Sequence, residues 1–270
     1  MVWMKIIGTH IILSPMTNLK HLLLIVLVAL SNCGCSSVMN DIECRHFIEK
    51  YIYIEDINLT YNALGKGEIV VYPYSGHNGD KFCSFLSSGD LYDQYIDLCT
   101  KHNDMSYDHT VYVIDSYDFD GTSYAQCDFT QLKVTSDKDY DVDHPKGESL
   151  NDLIRFMSYS PNEFIKSGYQ KRFDYVNDSS LSNIFREITS SLILDTDELY
   201  ESQQPYRPID KLVSELKTDD LILLGYKRLS PLFCLSFEKE PEVKNETHNI
   251  TITLDTDDGR SFSKSVVVDF

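Results

Sequence analysis

Leu22–Leu30 (LLLIVLVAL) is a run of nine apolar residues with no charge, and it constrains the chain more than any other stretch. A hydrocarbon core of about 30 Å needs roughly 20 helical residues to cross it, so this run is too short to span a bilayer. Its length suits the apolar centre of a signal peptide. Lys20 and His21 precede it as the basic flank, and Ser31, Asn32, Cys33, Gly34 and Cys35 follow as the small and polar stretch. Residues 1–32 are therefore expected to be a signal segment. Met16 is an alternative start, because MTNLKHLLLIVLVALSNC is a compact signal by itself, whereas residues 1–15 add a second apolar stretch (Ile6, Ile7, Ile11, Ile12, Leu13). The competing expectation is a signal anchor or a buried helix over residues 1–30.

Two cysteines directly after the apolar run give the segment its second meaning. Leu30-Ser31-Asn32-Cys33 resembles the lipobox of bacterial lipoproteins, with Leu three before the cysteine and Ser two before it. Asn32 departs from the pattern, which places Gly, Ala or Ser there. Cys35 has the better neighbour, Gly34, but then Asn32 falls where an aliphatic belongs. The resemblance covers only about the first 35 residues. It implies cleavage before Cys33, a diacylglycerol on the Cys33 thiol (Cys35 the alternative), and tethering to the periplasmic face of a bacterial membrane. Residues 33–40 then form a tether, and 41–270 a single domain.

The charge is −18. Losing residues 1–32 removes only Lys5 and Lys20 among the formal charges, so the exported part is more acidic still. Phosphate would be repelled over most of such a surface, which argues against nucleic acid, while a basic protein partner would be steered toward it. Seven cysteines occur. Lipidation at Cys33 leaves Cys35, Cys44, Cys83, Cys99, Cys127 and Cys234, an even set that disulfides could use up in an oxidising compartment. The alternative is that several are small buried hydrophobes, and Cys234 in an apolar strand pattern suits it.

Hydrophobic periodicity predicts the elements. Residues 39–53 place Cys44, Phe47, Ile48, Tyr51 and Ile52 at helical spacing. Glu68 to Tyr72 reads as a strand ended by Pro73, and Tyr74 to Asp80 as a loop. Leu91 to Cys99 reads as a helix with Leu91, Tyr95 and Leu98 on one face. Thr110 to Ile114 and Tyr124 to Val134 read as strands, the second slipping register near Thr130, with the hairpin signal Asp120-Gly121 between them. Helices are expected over Ser149–Tyr159, Ser179–Leu194 (capped by Ser179) and Pro208–Leu216. Strands then follow over Leu221–Tyr226, Leu232–Phe237, Asn249–Leu254 and Ser261–Phe270, the last two as a hairpin across Asp255–Arg260. Gln203–Pro208 is the best candidate hinge. The fold class is α+β: two groups of antiparallel strands around a helical middle, closed by a C-terminal β-hairpin.

The chemistry-bearing motifs are sparse. Asp137, Asp139, Asp141 and Glu148 have the spacing of calcium ligands, but Val142 stands where an EF-hand needs Gly, and Pro145 intrudes. They remain calcium candidates set against a solvated acidic loop. Asp118–Gly121 and Asp255–Gly259 are explained by turns. Ser75 and His77 follow a strand end, yet G-x-S-x-G is absent, as are H-E-x-x-H and the phosphate-binding glycine motifs. His46, His77, His102, His109, His144 and His248 are scattered and read as surface or satisfied histidines. No catalytic residue and no cofactor is assigned.

Four N-x-S/T sequons occur, at Asn58, Asn177, Asn245 and Asn249; a secreted eukaryotic glycoprotein is the origin they keep open. With 18 tyrosines and one tryptophan, loop tyrosines (Tyr53, Tyr72, Tyr74, Tyr107, Tyr112, Tyr117, Tyr140, Tyr206) either offer contact area to a partner or replace tryptophan in core and rim. The expected function is protein binding at the envelope, for instance as an immunity-type inhibitor of a cationic protein. The alternatives are an exported hydrolase with an unrecognised site and a calcium-dependent secreted or adhesive domain.

Overall fold

A computed structural model of the protein describes residues 40–62, 67–76, 81–113, 122–192, 204–225 and 231–270. By its internal contacts the chain divides into Met1–Asn40 and Asp41–Phe270, and all the described residues except Asn40 belong to the second unit. The signal-like segment, Met16, Cys33, Cys35, His77, Tyr117 and Asp120-Gly121 lie outside the described residues.

The centre of the fold is a five-stranded antiparallel sheet. It is built from β3 (Asp56–Asn62), β4 (Glu68–Tyr74), β9 (Ile154–Ser160), β10 (Arg207–Leu212) and β11 (Phe233–Phe237), in the order β10-β9-β11-β4-β3. Its three inner strands, β9, β11 and β4, are covered on both faces, so their side chains sort by parity. Ile69, Val71, Ile154, Phe156, Phe233 and Leu235 point to one side, into an apolar layer shared with a second sheet. Val70, Met157, Tyr159 and Cys234 point to the other, toward the helices. Strands buried on both faces read as continuous apolar runs rather than alternating ones.

The second sheet has three antiparallel strands, β13 (Ser261–Asp269), β12 (Thr247–Thr256) and β8 (Phe129–Ser136). Here one face is solvated and the alternation is clean. Ile250, Ile252 and Leu254 enter the core, while Thr251 and Thr253 pair with Ser265 and Ser263 outside, at 2.8 and 3.1 Å. The register breaks between Asp255 and Thr256, where Thr256 comes opposite Phe129. This bulge is the slip expected near Thr130. The outer edge of β8 is closed by a side chain. Asn151 accepts from Val134 N (2.9 Å) and donates to Leu132 O (3.0 Å), imitating a neighbouring strand. On the opposite side β13 lies alongside β3, with Lys264 Nζ 2.6 Å from Asp56.

The remaining strands are short. β1 (Asn40–Cys44) pairs with β6 (His109–Val113), and β2 (Lys50–Ile52) lies between β5 (Phe82–Ser84) and β7 (Ser123–Ala125), parallel to the latter. Helices α1 (Asp90–His102), α2 (Asn162–Lys166) and α3 (Ser179–Leu192) complete the α+β fold. Helix α3 begins as expected, but the cap is Asp178, whose Oδ1 accepts from Ser180 N and Leu181 N at 2.9 and 3.1 Å.

Four expected elements are corrected. The helix expected over 39–53 is replaced, in its described part, by β1 and β2, because the amides between them bond to distant groups described below. Ser149–Tyr159 is a turn followed by β9, a strand of the central sheet. Pro208–Leu216 is the edge strand β10 with a 3-10 turn, Val213–Glu215, after it. Pro208, expected at a helix start, is instead the second residue of an edge strand, where its missing N–H is harmless. Leu221 ends a 3-10 turn, and Ile222–Gly225 is not strand. Nor do β6 and β7 form a hairpin, since each pairs elsewhere.

None of Cys44, Cys83, Cys99, Cys127 and Cys234 is disulfide-bonded, and all five are buried. They are spread over three separate apolar clusters, so they behave as the small core residues of the alternative reading. Burial pushes the thiols of Cys44 and Cys83 up to about 11 and that of Cys127 up to about 12.

Candidate functional site

Helix α1 carries the most chemistry in the fold, with a different kind on each side. Gly89 precedes it at φ 57°, a left-handed conformation that favours glycine, and its carbonyl accepts from Tyr92 N and Asp93 N at 2.9 and 3.1 Å. Asp90 and Asp93 lie in the first turn and Lys101 and His102 in the last, which complements the helix dipole. The expected face of Leu91, Tyr95 and Leu98 is rotated. Tyr95, Cys99 and His102 are buried, whereas Leu91 is 51% exposed and Tyr92 40%. Asp90, Asp93 and Asp97 are exposed as well, so the helix offers solvent a row of three acids and, in its first turn, two exposed apolar side chains at the margins of its buried face.

The buried side meets the loop between β1 and β2. Asn103, at φ 59° and ψ 32°, ends the helix, and Asp104 N returns to Cys99 O at 2.8 Å. That turn delivers the Asp104 carboxylate, fully buried, to the loop: Oδ1 accepts from Phe47 N (2.7 Å) and Tyr169 OH (2.9 Å), and Oδ2 from Ile48 N (2.8 Å). Thr122 O accepts from Glu49 N and Lys50 N, both at 3.1 Å, and Tyr95 OH donates to Ile48 O at 2.8 Å. The amides of residues 47–50 are thus taken by tertiary partners rather than by a helix. His46 Nδ1 bonds to Asp104 O.

Three potential ligand atoms converge there. A His46 ring nitrogen, Cys99 Sγ and an Asp104 carboxylate oxygen lie within 4.8 Å of one another, and all three residues are buried. Burial pushes the Cys99 thiol well above its usual range and raises Asp104, against the bonds from Ile48 and Phe47 that favour its charge. No Lys or Arg pairs with Asp104 among the described residues.

A second chain of polar groups runs alongside. Tyr51 OH and His102 Nδ1 are hydrogen-bonded at 3.0 Å, and His102 Nε2 faces both oxygens of Asp128 at 3.1 Å. Lys101 Nζ reaches Asp128 (2.7 Å) and Asp257 (2.6 Å), and Asp257 also accepts from Asp128 N (2.9 Å). Burial works to raise Asp128, but His102 and Lys101 outweigh it and hold the carboxyl below its usual range. A hydroxyl, an imidazole and a carboxylate in line are a proton relay by type. Tyr51 is fully buried, however, and burial raises its hydroxyl well above the ordinary value. The relay ties α1 to β2 and to the hairpin tip.

The residues singled out from sequence fall elsewhere. Asp137 accepts from Asn249 N and Nδ2, both at 2.7 Å; Asp139 from Lys146 N at 2.8 Å; Asp141 from Asp143 N and His144. Glu148 is exposed. Each carboxylate of that loop turns to its own partner, and the set does not converge among the described residues. Ser75 is half-buried at the end of β4, and its expected partner His77 lies outside the described residues. Of the loop tyrosines, Tyr140 and Tyr206 are core residues, and Tyr53, Tyr72, Tyr74 and Tyr107 are half-buried. The asparagines of all four sequons are exposed. His46 entered the sequence reading as a scattered histidine, Cys99 only as a disulfide candidate, and Asp104 not at all. The one local sign was an Asn-Asp pair directly after the helix. No family model, no curated protein and no solved structure matches the chain.

Proposed function

We propose that the chain is a lipid-anchored envelope protein whose folded domain binds a basic protein partner, an immunity-type inhibitor being one form. The observation that carries the binding half is helix α1, which exposes Leu91 and Tyr92 in its first turn and a row of acids, Asp90, Asp93 and Asp97. An aromatic and an aliphatic anchor with charge on the same helix is the composition of a contact patch. The sign of that row favours a cationic partner, and long-range attraction from a chain at −18 reinforces it. The anchor half is supported by Leu22–Leu30 and the lipobox-like Leu30–Cys33.

Two measurements test it. Intact mass and membrane fractionation of the wild type beside Cys33→Ala and Cys35→Ala should show a lipid-sized mass gain lost only in Cys33→Ala; an unlipidated soluble product removes the anchor. A photo-crosslinker at position 92 should capture a cationic envelope protein at low salt, with capture falling at high salt and in Asp93→Lys/Asp97→Lys. Salt-independent capture, or none, removes the charge-steered partner.

A further inference from the structure

We propose that His46, Cys99 and Asp104 form a binding site for a transition-metal dication of the zinc class, stapling the β1–β2 loop to the end of α1. Imidazole, thiolate and carboxylate are the donor set that such an ion takes, and three protein donors leave one coordination position open. Their ligand atoms already lie within 4.8 Å of one another, although the residues are separated along the chain and come from a loop, a helix and a helix-terminating turn.

The donors are held in place by groups that are not themselves ligands. The bond from His46 Nδ1 to Asp104 O fixes the imidazole, as partners behind a ligating histidine do. Asp104 Oδ1 accepts two hydrogen bonds, but Oδ2 accepts only the one from Ile48 N, so a lone pair remains on Oδ2. Cys99 is fixed on the buried face of α1 beside Tyr95.

The second, independent observation is the charge balance. Asp104 is a fully buried carboxylate whose hydrogen-bond donors are two backbone amides and a tyrosine hydroxyl, all neutral. The neighbouring side chain that favours its charge, His46, is itself a proposed ligand, so a dication held between the two would offset the cost of the buried carboxylate. On binding, the Cys99 S–H bond breaks, the sulfur's electron pair forms the metal–sulfur bond, and the proton leaves to solvent. No oxidation is involved. Because binding releases a proton, affinity should fall in acid.

The test is titration of the purified, reduced, full-length exported protein with Co²⁺ alone, followed by Zn²⁺. One equivalent of Co²⁺ should produce thiolate-to-metal charge-transfer absorption, and Zn²⁺ should abolish it while raising the melting temperature. Cys99→Ser should lose the absorption, His46→Gln should weaken binding at least tenfold, and Cys44→Ser should leave both unchanged. Circular dichroism of each metal-free variant separates loss of a ligand from loss of the fold. A folded wild type that gives no thiolate–cobalt band overturns the proposal, as does a band that survives in Cys99→Ser. A Cys44–Cys99 disulfide in the exported protein, read by intact mass after alkylation without reduction, also overturns it.

Discussion

Arg155 and Asp210 meet in a two-bond fork, with Nε 2.6 Å from Oδ1 and Nη2 2.6 Å from Oδ2. The two sit diagonally across the β9–β10 pair, since Arg155 is opposite Leu212. The same guanidinium takes both oxygens of Glu187 on α3 at 3.0 and 3.2 Å. One side chain thus joins an edge strand, its neighbour and a helix. Arg155→Lys keeps the charge but not the planar fork, and should cost about 1–2 kcal/mol; Arg155→Ala should cost about 2–3 kcal/mol. The urea midpoint of unfolding checks both, and equal midpoints for Lys and Arg would show that the fork adds nothing.

Ile252 is fully buried at the middle of the three-stranded sheet, between Val134 and Lys264 in the register. Its side chain enters the layer between the two sheets, where little can move to refill a void. Ile252→Val should cost about 1 kcal/mol and Ile252→Ala about 3–4 kcal/mol. Denaturant unfolding at constant m-value is the measurement.

Asp178 caps α3 through two amides. Asp178→Ala should destabilise by about 1 kcal/mol, whereas Ser179→Ala should have almost no effect. A larger loss at Ser179 would return the cap to the residue expected from sequence.

His248 and His144 make stability depend on pH in opposite senses. Burial lowers the proton affinity of His248, which keeps its bond to Ser136 Oγ at 2.8 Å. The unfolded chain then binds a proton that the folded chain refuses, so this residue costs stability as pH falls below about 6.5. His144 is raised, first by its 2.6 Å bond to Asp141. Its contribution is complete below about 6.5 and is lost as pH rises through its raised folded value. Melting temperatures between about pH 5 and 8 should fall less on the acid side in His248→Gln and less on the alkaline side in His144→Gln.

The elements legible in the sequence were those governed by their own neighbours in the chain. Helix α3 has its apolar stripe and a cap, β12 has strict alternation and an Asp-Asp-Gly turn into β13, and β8 carries its bulge as a slip in the pattern. Illegible elements took their form from partners far away. Phe47, Ile48 and Tyr51 keep helical spacing, yet the amides of 47–50 go to Asp104 and Thr122. β9 is buried on both faces, so its apolar run cannot be told from a helix by period. The buried cluster fared as β9 did. Cys99 and Asp104 are close in sequence, but nothing local brings His46 to them; only the order of β1, β2 and α1 in space does.

The strand order β10-β9-β11-β4-β3 sets when the molecule can fold. β4 is complete by Tyr74, but its inner neighbour is β11, which begins at Phe233. Until that segment has emerged, β4 has only β3 beside it, and the apolar faces on either side of the central sheet have nothing to close on. Closing so distant a pair is slow. The central sheet therefore cannot close until most of the chain has been made.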